Sequence, residues 1–241
     1  MPRLFPRLAL VFLALSSAAW AFPRLSALSK GSVVLFQGDS ITEGGRWRQS
    51  SDFNHIMGQD YGYIVAALVG AEYPERNVTF INRGISGNTV LDLSRRWTTD
   101  TLALHPDVLS ILVGVNDAFF SGGSETPQQY AHAYEKLIVE TRAALPNVKI
   151  VLGEPFVMPV AGRKAGYEGF RAHLKPFQDA VIALAAKYHL PLIRYQDIFD
   201  AACRRAPADH WSWDGIHPTY AGHGLMVRAW MKAVDAAWPV R

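Results

Sequence analysis

The amino-acid sequence predicts an α/β domain built on one parallel β-sheet with helices on both faces. Short apolar runs alternate along the chain with longer stretches whose apolar residues recur at the helical period. Strands that are apolar throughout are typical of a parallel sheet buried on both faces. No internal repeat or linker interrupts this pattern, so a single domain is expected.

Five strands and five helices are predicted from these patterns. The strands are Ser32–Phe36, Val78–Ile81, Val108–Val113, Lys149–Leu152 and Pro191–Arg194. The helices are Tyr61–Glu72, Val90–Thr99, Pro127–Leu145, Phe170–Tyr188 and Ala221–Ala237. In the third helix, the residues expected to face the core are Tyr130, Ala133, Tyr134, Leu137, Ile138 and Thr141.

Length and composition limit the classes of protein that this chain can represent. Its 241 residues, of which 49% are hydrophobic and 19% charged, suffice for one sizeable core without a signature of disorder. The formal net charge is only +3 and no block of Lys or Arg is present, so nucleic acid is not an expected partner. The single cysteine, Cys203, excludes an internal disulfide.

Residues 1–21 have the pattern of a secretory signal peptide. Two arginines precede an apolar run at residues 8–15, and small residues follow up to Ala21, where cleavage is expected. The apolar run is too short for a membrane span, although an uncleaved N-terminal anchor is an alternative. We therefore expect a periplasmic or secreted protein whose mature domain covers residues 22–241 and has no stable membrane span.

Distinctive polar loops follow each of the first three predicted strands. They are Gly38-Asp39-Ser40, the segment NRGISGNT (82–89) and the segment GVND (114–117). The carboxyl ends of parallel strands share one edge of the sheet, and ligands of open α/β sheets bind beyond that edge. The three loops are therefore expected to meet in a functional site.

Ser40 is the candidate nucleophile, because it stands where a strand gives way to a helix. A helix start suits an oxyanion, although a serine there is also a common helix cap. Asp214 and His217 are the candidate partners, spaced so that the carboxylate can bond one imidazole nitrogen while the other accepts the serine proton. By itself such a pair is a weak signal, since many are structural.

Gly84 and Asn116 are the candidate donors to an oxyanion. Glycine at position 84 would let the backbone N–H approach a ligand closely, and Asn116 offers a side-chain amide. With the Ser40 N–H, three donors would then converge. Each residue also has an ordinary interpretation, Gly84 as a turn glycine and Asn116 as a loop residue bonded to its own backbone. Their order and their common placement at strand ends favour the functional interpretation.

Taken together, these segments resemble the sequence blocks of the SGNH hydrolases, also called GDSL esterases and lipases. The resemblance spans residues 33–223 and rests on Ser40 in GDSIT, Gly84 in NRGISGNT, Asn116 in GVND, and Asp214 with His217 in DGIHP. It implies a flavodoxin-like three-layer α/β/α sandwich with a central five-stranded parallel sheet and a Ser-His-Asp triad. The segments NRGISGNTVLDLSRRW and HPTYAGHGLMVRAW look most similar to bacterial acetyl xylan esterases and related carbohydrate acetylesterases.

Two other hydrolase classes fit the sequence less well. The nucleophile elbow of an α/β-hydrolase needs glycine where this chain has Thr42, and that fold does not usually place its acid and histidine three residues apart. A zinc hydrolase needs a ligand cluster, but the eight histidines form no H-E-x-x-H pattern. We therefore expect no metal and no cofactor.

Further candidates for the substrate pocket are Asp39, Trp47, Trp211 and Trp213. The tryptophans could stack on sugar rings or form the wall of an acyl pocket, whereas Asp39 is more simply interpreted as a carboxylate that stabilises its own loop. The segments 46–61 and 156–169 are long enough to shape access to the site. His223 is expected to be a packing or surface residue.

The expected function is a serine esterase that removes short acyl groups, acetyl above all, from a carbohydrate such as acetylated xylan. A lysophospholipase or an acyl-thioesterase of the same fold, and a non-catalytic carbohydrate-binding protein, are the alternatives. The expected partner is a small acylated substrate such as an acetylated oligosaccharide. The oligomeric state is left open.

Overall fold

One five-stranded parallel sheet organises residues 22–120 and 126–239, which are the residues that the computed structural model describes. The signal segment predicted at residues 1–21 lies outside them. The strands are β1 (Val33–Gly38), β2 (Thr79–Asn82), β3 (Val108–Leu112), β4 (Lys149–Gly153) and β5 (Leu192–Ile193). The helices are α1 (Ser40–Glu43), α2 (Tyr61–Glu72), α3 (Val90–Asp100), α4 (Val115–Phe119), α5 (Pro127–Ala144), α6 (Tyr167–Tyr188), α7 (Tyr195–Cys203), α8 (Ala208–Trp211) and α9 (Tyr220–Ala237).

The strand order β2-β1-β3-β4-β5 confirms the predicted fold class. Every pairing is parallel, and the chain leaves β1 for β2 on one side before it crosses back to β3 on the other. This order has its switch point between β1 and β3, where open α/β sheets bind ligands at the carboxyl ends of the strands. Ser40 follows β1 and Asn116 follows β3, so both lie at this point.

The sheet is buried on both faces by two separate groups of helices. Val34 and Phe36 of β1 belong to the core shared with α2 and α9, whereas Leu35 belongs to the core shared with α3, α5 and α6. On the first face, the Trp230 indole packs 5.5 Å from Phe36 and its Nε1 donates to Ser110 Oγ at 3.1 Å. The alternation of β1 side chains between two cores produces the predicted three-layer sandwich.

Helix α5 shows how closely the sequence pattern determines local structure. Thr126 and Gln129 form a capping box at its start, and Pro127 occupies the first helical position. The six residues predicted to face the core are all buried: Tyr130, Ala133, Tyr134, Leu137, Ile138 and Thr141. The predicted orientation of this helix is therefore confirmed.

The structure differs from the sequence prediction mainly between residues 191 and 211. The predicted strand Pro191–Arg194 shrinks to the two residues of β5, because α7 begins at Tyr195 directly after it. Helix α7 was not predicted, although its buried residues Tyr195, Phe199 and Ala202 follow the helical period. The single-turn helices α1, α4 and α8 are too short for a periodic signal.

The longer helices are amphipathic rather than uniformly apolar. In α6, Leu174, Phe177 and Val181 are buried, while Lys175 and Asp179 form an exposed ion pair at 2.6 Å. No helix within residues 22–120 and 126–239 is both long and apolar enough to cross a lipid bilayer.

Asp60 is a buried carboxyl that begins α2. Its Oδ1 accepts a hydrogen bond from Tyr63 N at 2.9 Å, whereas its Oδ2 is buried and has no hydrogen-bond partner among the described residues. Burial raises the pKa of Asp60 to about 7, although hydrogen bonds from backbone N–H groups partly oppose the shift. The folded protein therefore holds a proton on this carboxyl more tightly than the unfolded chain does.

We expect Asp60→Asn to stabilise the protein at alkaline pH, because asparagine is an equally good helix cap without the buried charge. The pKa of the Asp60 carboxyl is about 3.8 in the unfolded chain and about 7 in the folded protein. Its contribution to the free energy of unfolding is therefore fully present below about pH 3.8 and is lost as the pH rises through about 7. The stability difference between variant and wild type, measured by urea unfolding, should therefore grow as the pH rises. A difference that stays constant from about pH 4.5 to about pH 8.5 would contradict this account.

Candidate active site

Ser40 begins α1 and is separated from the end of β1 by one residue, at a turn that requires glycine at position 38. A Cβ on Gly38 would lie 2.3 Å from the carbonyl oxygen of Leu112 on the neighbouring strand. Asp39 caps the helix, because its Oδ1 accepts from Ile41 N at 2.9 Å. The turn thereby holds Ser40 beyond the carboxyl edge of the sheet.

His217 joins Ser40 to Asp214 through two hydrogen bonds. Its Nε2 lies 2.8 Å from Ser40 Oγ, and its Nδ1 lies 2.7 Å from Asp214 Oδ2. An ionised carboxylate can only accept, so Nδ1 carries the ring proton and the neutral imidazole leaves Nε2 free to accept from the serine hydroxyl. The structure thus brings together the three residues that the sequence predicted to act together.

The loop around Asp214 keeps its carboxylate ionised. Burial alone would raise the pKa of Asp214, but hydrogen bonds from the His217 ring and from the N–H groups of His217 and Ile216 outweigh it and lower the pKa to about 2. The two backbone donors lie 2.8 and 2.9 Å from Asp214 Oδ1. A carboxylate held in this way orients the imidazole and stabilises its protonated form.

Contacts from the segment between β4 and α6 fix the position of the Asp214 loop. Arg163 Nη1 donates to the carbonyl oxygen of Asp214 at 2.6 Å. Gly215 has a φ of +92°, and a Cβ there would lie 2.6 Å from Met158 O, so only glycine fits. The segment 156–169, which was predicted to shape substrate access, therefore supports the loop that carries the carboxylate.

Of the three candidate tryptophans, Trp213 alone lines the cavity in front of Ser40. Its ring stacks on the His217 imidazole with centroids 5.2 Å apart and an interplanar angle of 15°, and 64% of its surface stays exposed. Trp211 points into the core beneath α9, and its Nε1 donates to Ala206 O at 3.4 Å. Trp47 is exposed and meets only the edge of His55. The prediction of a pocket role is therefore wrong for Trp211, which is buried, and it stays a prediction for Trp47.

Asp39 also lies outside the cavity, because its side chain is buried beneath α1. Burial raises the pKa of Asp39 to about 7, opposed by the hydrogen bond from Ile41 N and by the nearby His217. Its role in the structure is that of a helix cap, which agrees with the simpler of its two interpretations. The placement of Asp39 in the substrate pocket is wrong.

The cavity in front of Ser40 has a volume of about 270 Å³. It is lined by Ser40, Ile41, Gly44, Gly45, Gln59, Ser86, Trp213, His217, Pro218 and His223. This volume lies just below the range of about 300–1,000 Å³ for ligand pockets, so the space directly in front of Ser40 suits a small acyl group.

Gly84 does not offer a free N–H to an oxyanion. Its N–H donates to Asn82 Oδ1 at 2.8 Å, and its carbonyl oxygen accepts from Arg46 Nε at 3.0 Å. A Cβ at this position would lie 2.4 Å from Glu43 N, so glycine is required because the loop packs against α1. The predicted donor role of Gly84 is therefore corrected.

The free amide of this loop belongs to Gly87, which was not among the residues predicted from the sequence. Its N–H has no hydrogen-bond partner among the described residues, and it follows Ser86, which lines the cavity. Asn116 lies near this loop, because its side-chain Nδ2 donates a hydrogen bond to Asn88 O at 3.0 Å. The amide group has a second hydrogen that it can donate to a ligand. The Ser40 N–H is the first of α1 and has no acceptor within the helix. The only sequence signal for Gly87 is its place as the second glycine of NRGISGNT.

His223 is a packing residue, one of its two predicted alternatives, and it also lines the cavity. It is 7% exposed, its ring lies parallel to Tyr61 at 6.5 Å, and its Nδ1 is buried without a hydrogen-bond partner among the described residues. Burial and, second, the neighbouring His217 lower the pKa of His223 to about 4. His223 is therefore neutral at physiological pH and does not add a charge to the cavity.

The fold and this constellation define the class of the protein: it is a carboxylic ester hydrolase on a flavodoxin-like scaffold. The chain belongs to the GDSL-like lipase/acylhydrolase family, whose sequence profile matches residues 36–225. The resemblance to SGNH hydrolases is thereby confirmed.

Relatives of known description agree with this assignment. An acetylxylan esterase from Geobacillus stearothermophilus is 31% identical over 220 residues, which cover 88% of this chain and 97% of the relative. The crystal structure of Axe2, an acetylxylan esterase from the same organism, matches with a TM-score of 0.76 and 29% identity over 86% of this chain and 96% of that one. A structure from Parabacteroides merdae ATCC 43184, described as a GDSL-like lipase, matches with a TM-score of 0.79 and 37% identity over 86% and 97%.

Proposed function

We propose that this ester hydrolase is a serine acetylesterase that acts on an acetylated carbohydrate such as acetylated xylan. The observation that carries the proposal is the continuous hydrogen-bonded chain from Asp214 through His217 to Ser40, which ends at a small cavity. The sequence pattern of residues 1–21 supports export to the periplasm or beyond, so the mature protein would begin at Phe22.

In the proposed mechanism, Ser40 Oγ attacks the carbonyl carbon of the acetyl ester while His217 Nε2 takes the hydroxyl proton. Asp214 holds the imidazole in the correct tautomer and stabilises its positive charge. His217 then returns the proton to the departing sugar oxygen, which leaves Ser40 acetylated. A water molecule gives a proton to the same nitrogen and attacks the acetyl-serine carbonyl. The proton then passes to Ser40 Oγ as the ester bond breaks, which releases acetate and restores the free serine.

Three donors are available to the oxyanion that forms in each half of the reaction. They are the N–H groups of Ser40 and Gly87 and the second hydrogen of Asn116 Nδ2. Donors that are fixed before the reaction stabilise the developing negative charge without any cost of reorganisation. The hydrogen bond from Asn116 to Asn88 O holds the amide in place.

We expect Asn116→Ala to lower kcat about a hundredfold or more, because one donor to the oxyanion is lost. The Michaelis constant should change little, since the donor acts on charge that exists only in the transition state. Steady-state kinetics on p-nitrophenyl acetate would measure both parameters. Asn147→Ala is a matched control, because Asn147 is exposed and precedes β4 at the opposite edge of the sheet. A change confined to the Michaelis constant would instead assign Asn116 to ground-state binding.

The cavity and Trp213 support a short acyl group on a sugar. The cavity of about 270 Å³ directly in front of Ser40 is of a size that fits an acetyl group. The exposed surface of Trp213 beside His217 offers an apolar face of the kind that packs against sugar rings. The relatedness to an acetylxylan esterase favours the same substrate class.

Acetate release from a panel of acetylated oligosaccharides tests this substrate class. Acetylated xylo-oligosaccharides should be deacetylated, and p-nitrophenyl acetate should be hydrolysed with a higher kcat/KM than p-nitrophenyl laurate. Faster hydrolysis of the long-chain ester, or of a lysophospholipid or acyl thioester, would assign the protein to one of those activities instead.

A further inference from the structure

A second cavity, of about 650 Å³, lies between strand β2 and the segment 46–63. It is larger than the cavity in front of Ser40, and the proposed reaction does not use it. One wall consists of residues 77–83, which include β2 at the edge of the sheet. The other wall comes from the segment 46–57 and from the start of α2.

The charge of this cavity is positive. Arg46, Arg48 and Arg83 line it, and none of the described residues in its lining is acidic. Arg48 is partly neutralised, because its Nη2 lies 3.3 Å from Glu43 Oε1. Arg46 uses its Nε to hold Gly84 O and forms no ion pair with a described residue. The positive charge is therefore only partly compensated by the protein.

Arg83 is the least satisfied of the three arginines. It is half-buried, its Nε is buried without a hydrogen-bond partner among the described residues, and its guanidinium makes no ion pair with them. Burial, followed by the charge of Arg83, lowers the pKa of Arg46 to about 10. A carboxylate bound in the cavity would compensate the charge of the Arg83 guanidinium, which no described acidic side chain pairs, through charge-assisted hydrogen bonds.

The remaining walls of the cavity are partly apolar. Phe53, Tyr63 and Phe80 line it, and 86% of the Phe53 side chain is exposed at its rim. Aromatic faces pack well against the C–H faces of a sugar ring, and the fork of an arginine matches a carboxylate. An acidic sugar offers both features in one ring.

The arginine-lined cavity and the cavity in front of Ser40 both adjoin a third cavity. A third cavity, of about 220 Å³, shares Gly45 and Gln59 with the catalytic cavity and shares Asn54 and Tyr63 with the arginine-lined one. The three therefore follow one another along the same face of the molecule. A chain of sugar units could lie along this path while one of its acetyl groups reaches Ser40.

We infer that the arginine-lined cavity is a subsite for the carboxylate of a uronic acid on the substrate. The inference rests on the proposed function, because it assumes that the acetyl ester is carried by an oligosaccharide. The substrate class then narrows to acetylated oligosaccharides with an acidic sugar substituent. Arg83 is the residue expected to contact the carboxylate most directly.

The inference is tested by measuring acetate release from two acetylated oligosaccharides. They have the same backbone, and only one of them carries a uronic acid. The wild-type protein should have a lower KM for the acidic substrate, by about tenfold, as expected for one charge-assisted hydrogen bond. Arg83→Gln should abolish this preference, and Arg83→Lys should restore part of it. The preference should also weaken at high salt, since part of the site is open to solvent.

Arg205→Gln is the matched control, because Arg205 is exposed and its side chain makes no contact with the site. Equal KM values for the two substrates in the wild-type protein would overturn the inference while leaving the proposed function intact. If neither substrate is deacetylated, the proposed function fails. The subsite can then still be tested by calorimetry, in which the acidic oligosaccharide is titrated into the Ser40→Ala protein and into the Ser40→Ala, Arg83→Gln double variant. A change of oligomeric state in Arg83→Gln without a change of preference would identify the cavity as an interface between copies of this chain and would also overturn the inference.

Discussion

Replacement of Ser40 by alanine is expected to abolish ester hydrolysis and to leave the fold intact. The hydroxyl oxygen is the only atom removed, and it is the atom that lies 2.8 Å from His217 Nε2. Loss of a serine nucleophile typically lowers kcat by roughly 10⁴-fold or more, because the remaining groups can only bind substrate and stabilise charge. Ser40 lies at the rim of a cavity, so the change leaves no hole in the core. Hydrolysis of p-nitrophenyl acetate and circular dichroism measure the two parts of this expectation.

Ser94→Ala is the matched control for this variant, because Ser94 lies on α3 and its side chain makes no hydrogen bond with a described residue. A sulfonyl fluoride should label the wild-type and Ser94→Ala proteins once, and should not label Ser40→Ala. If Ser40→Ala retains more than a few per cent of the wild-type activity, Ser40 is not the nucleophile. A wild-type protein that binds acetylated sugars but hydrolyses no ester would point to the non-catalytic alternative.

Replacement of Asp214 by asparagine is expected to lower kcat by about 10⁴-fold. The asparagine oxygen can still accept from the N–H groups of Ile216 and His217, so the loop should keep its conformation. The new amide group, however, would donate to His217 Nδ1, and this forces the ring proton onto Nε2. A protonated Nε2 cannot accept from the Ser40 hydroxyl, so the general base is lost while the substrate cavity is unchanged.

Asp209→Asn serves as the control, since Asp209 is exposed on α8 and forms no ion pair with a described residue. Steady-state kinetics should show that the loss in Asp214→Asn lies in kcat, with a nearly unchanged KM. A variant that keeps wild-type kcat would show that the carboxylate is structural. Thermal unfolding of both variants would show whether any loss of activity follows from a loss of stability.

Short-range features of the site were predictable from the sequence. Asp214 and His217 are three residues apart, and this spacing allows their hydrogen bond within one turn of chain. The cap of α5 and the six residues on its buried face also follow from local pattern, because helix caps and helical periodicity depend on neighbours within a few positions. The positions of Ser40 and Asn116 at strand ends follow from the order of apolar and polar segments.

Two choices between near neighbours were not predictable. Trp211 and Trp213 are both aromatic and flank the same loop, yet the packing of α8 under α9 buries the first and leaves the second on His217. Gly84 and Gly87 lie in one glycine-containing segment, and only the contact with Asn82 decides which N–H stays free. For the tryptophans, the deciding contact comes from a part of the chain whose position the local sequence does not specify. For the glycines, Asn82 is a near neighbour of Gly84, but its side chain is held in place by the distant carbonyl oxygens of Thr42 and Met57.

The sequence by itself determined the alternation of strands and helices, the residues at the carboxyl ends of β1 and β3, and the local pairing of Asp214 with His217. Only the tertiary structure decided that His217 meets Ser40, 177 positions away in the chain. It also decided that Arg46 and Arg83 line one cavity whose described lining contains no acidic residue. The physical reason is the range of the interactions: backbone hydrogen bonds and caps depend on adjacent residues, whereas burial, charge compensation and catalytic contact depend on which distant segments the packed sheet brings together.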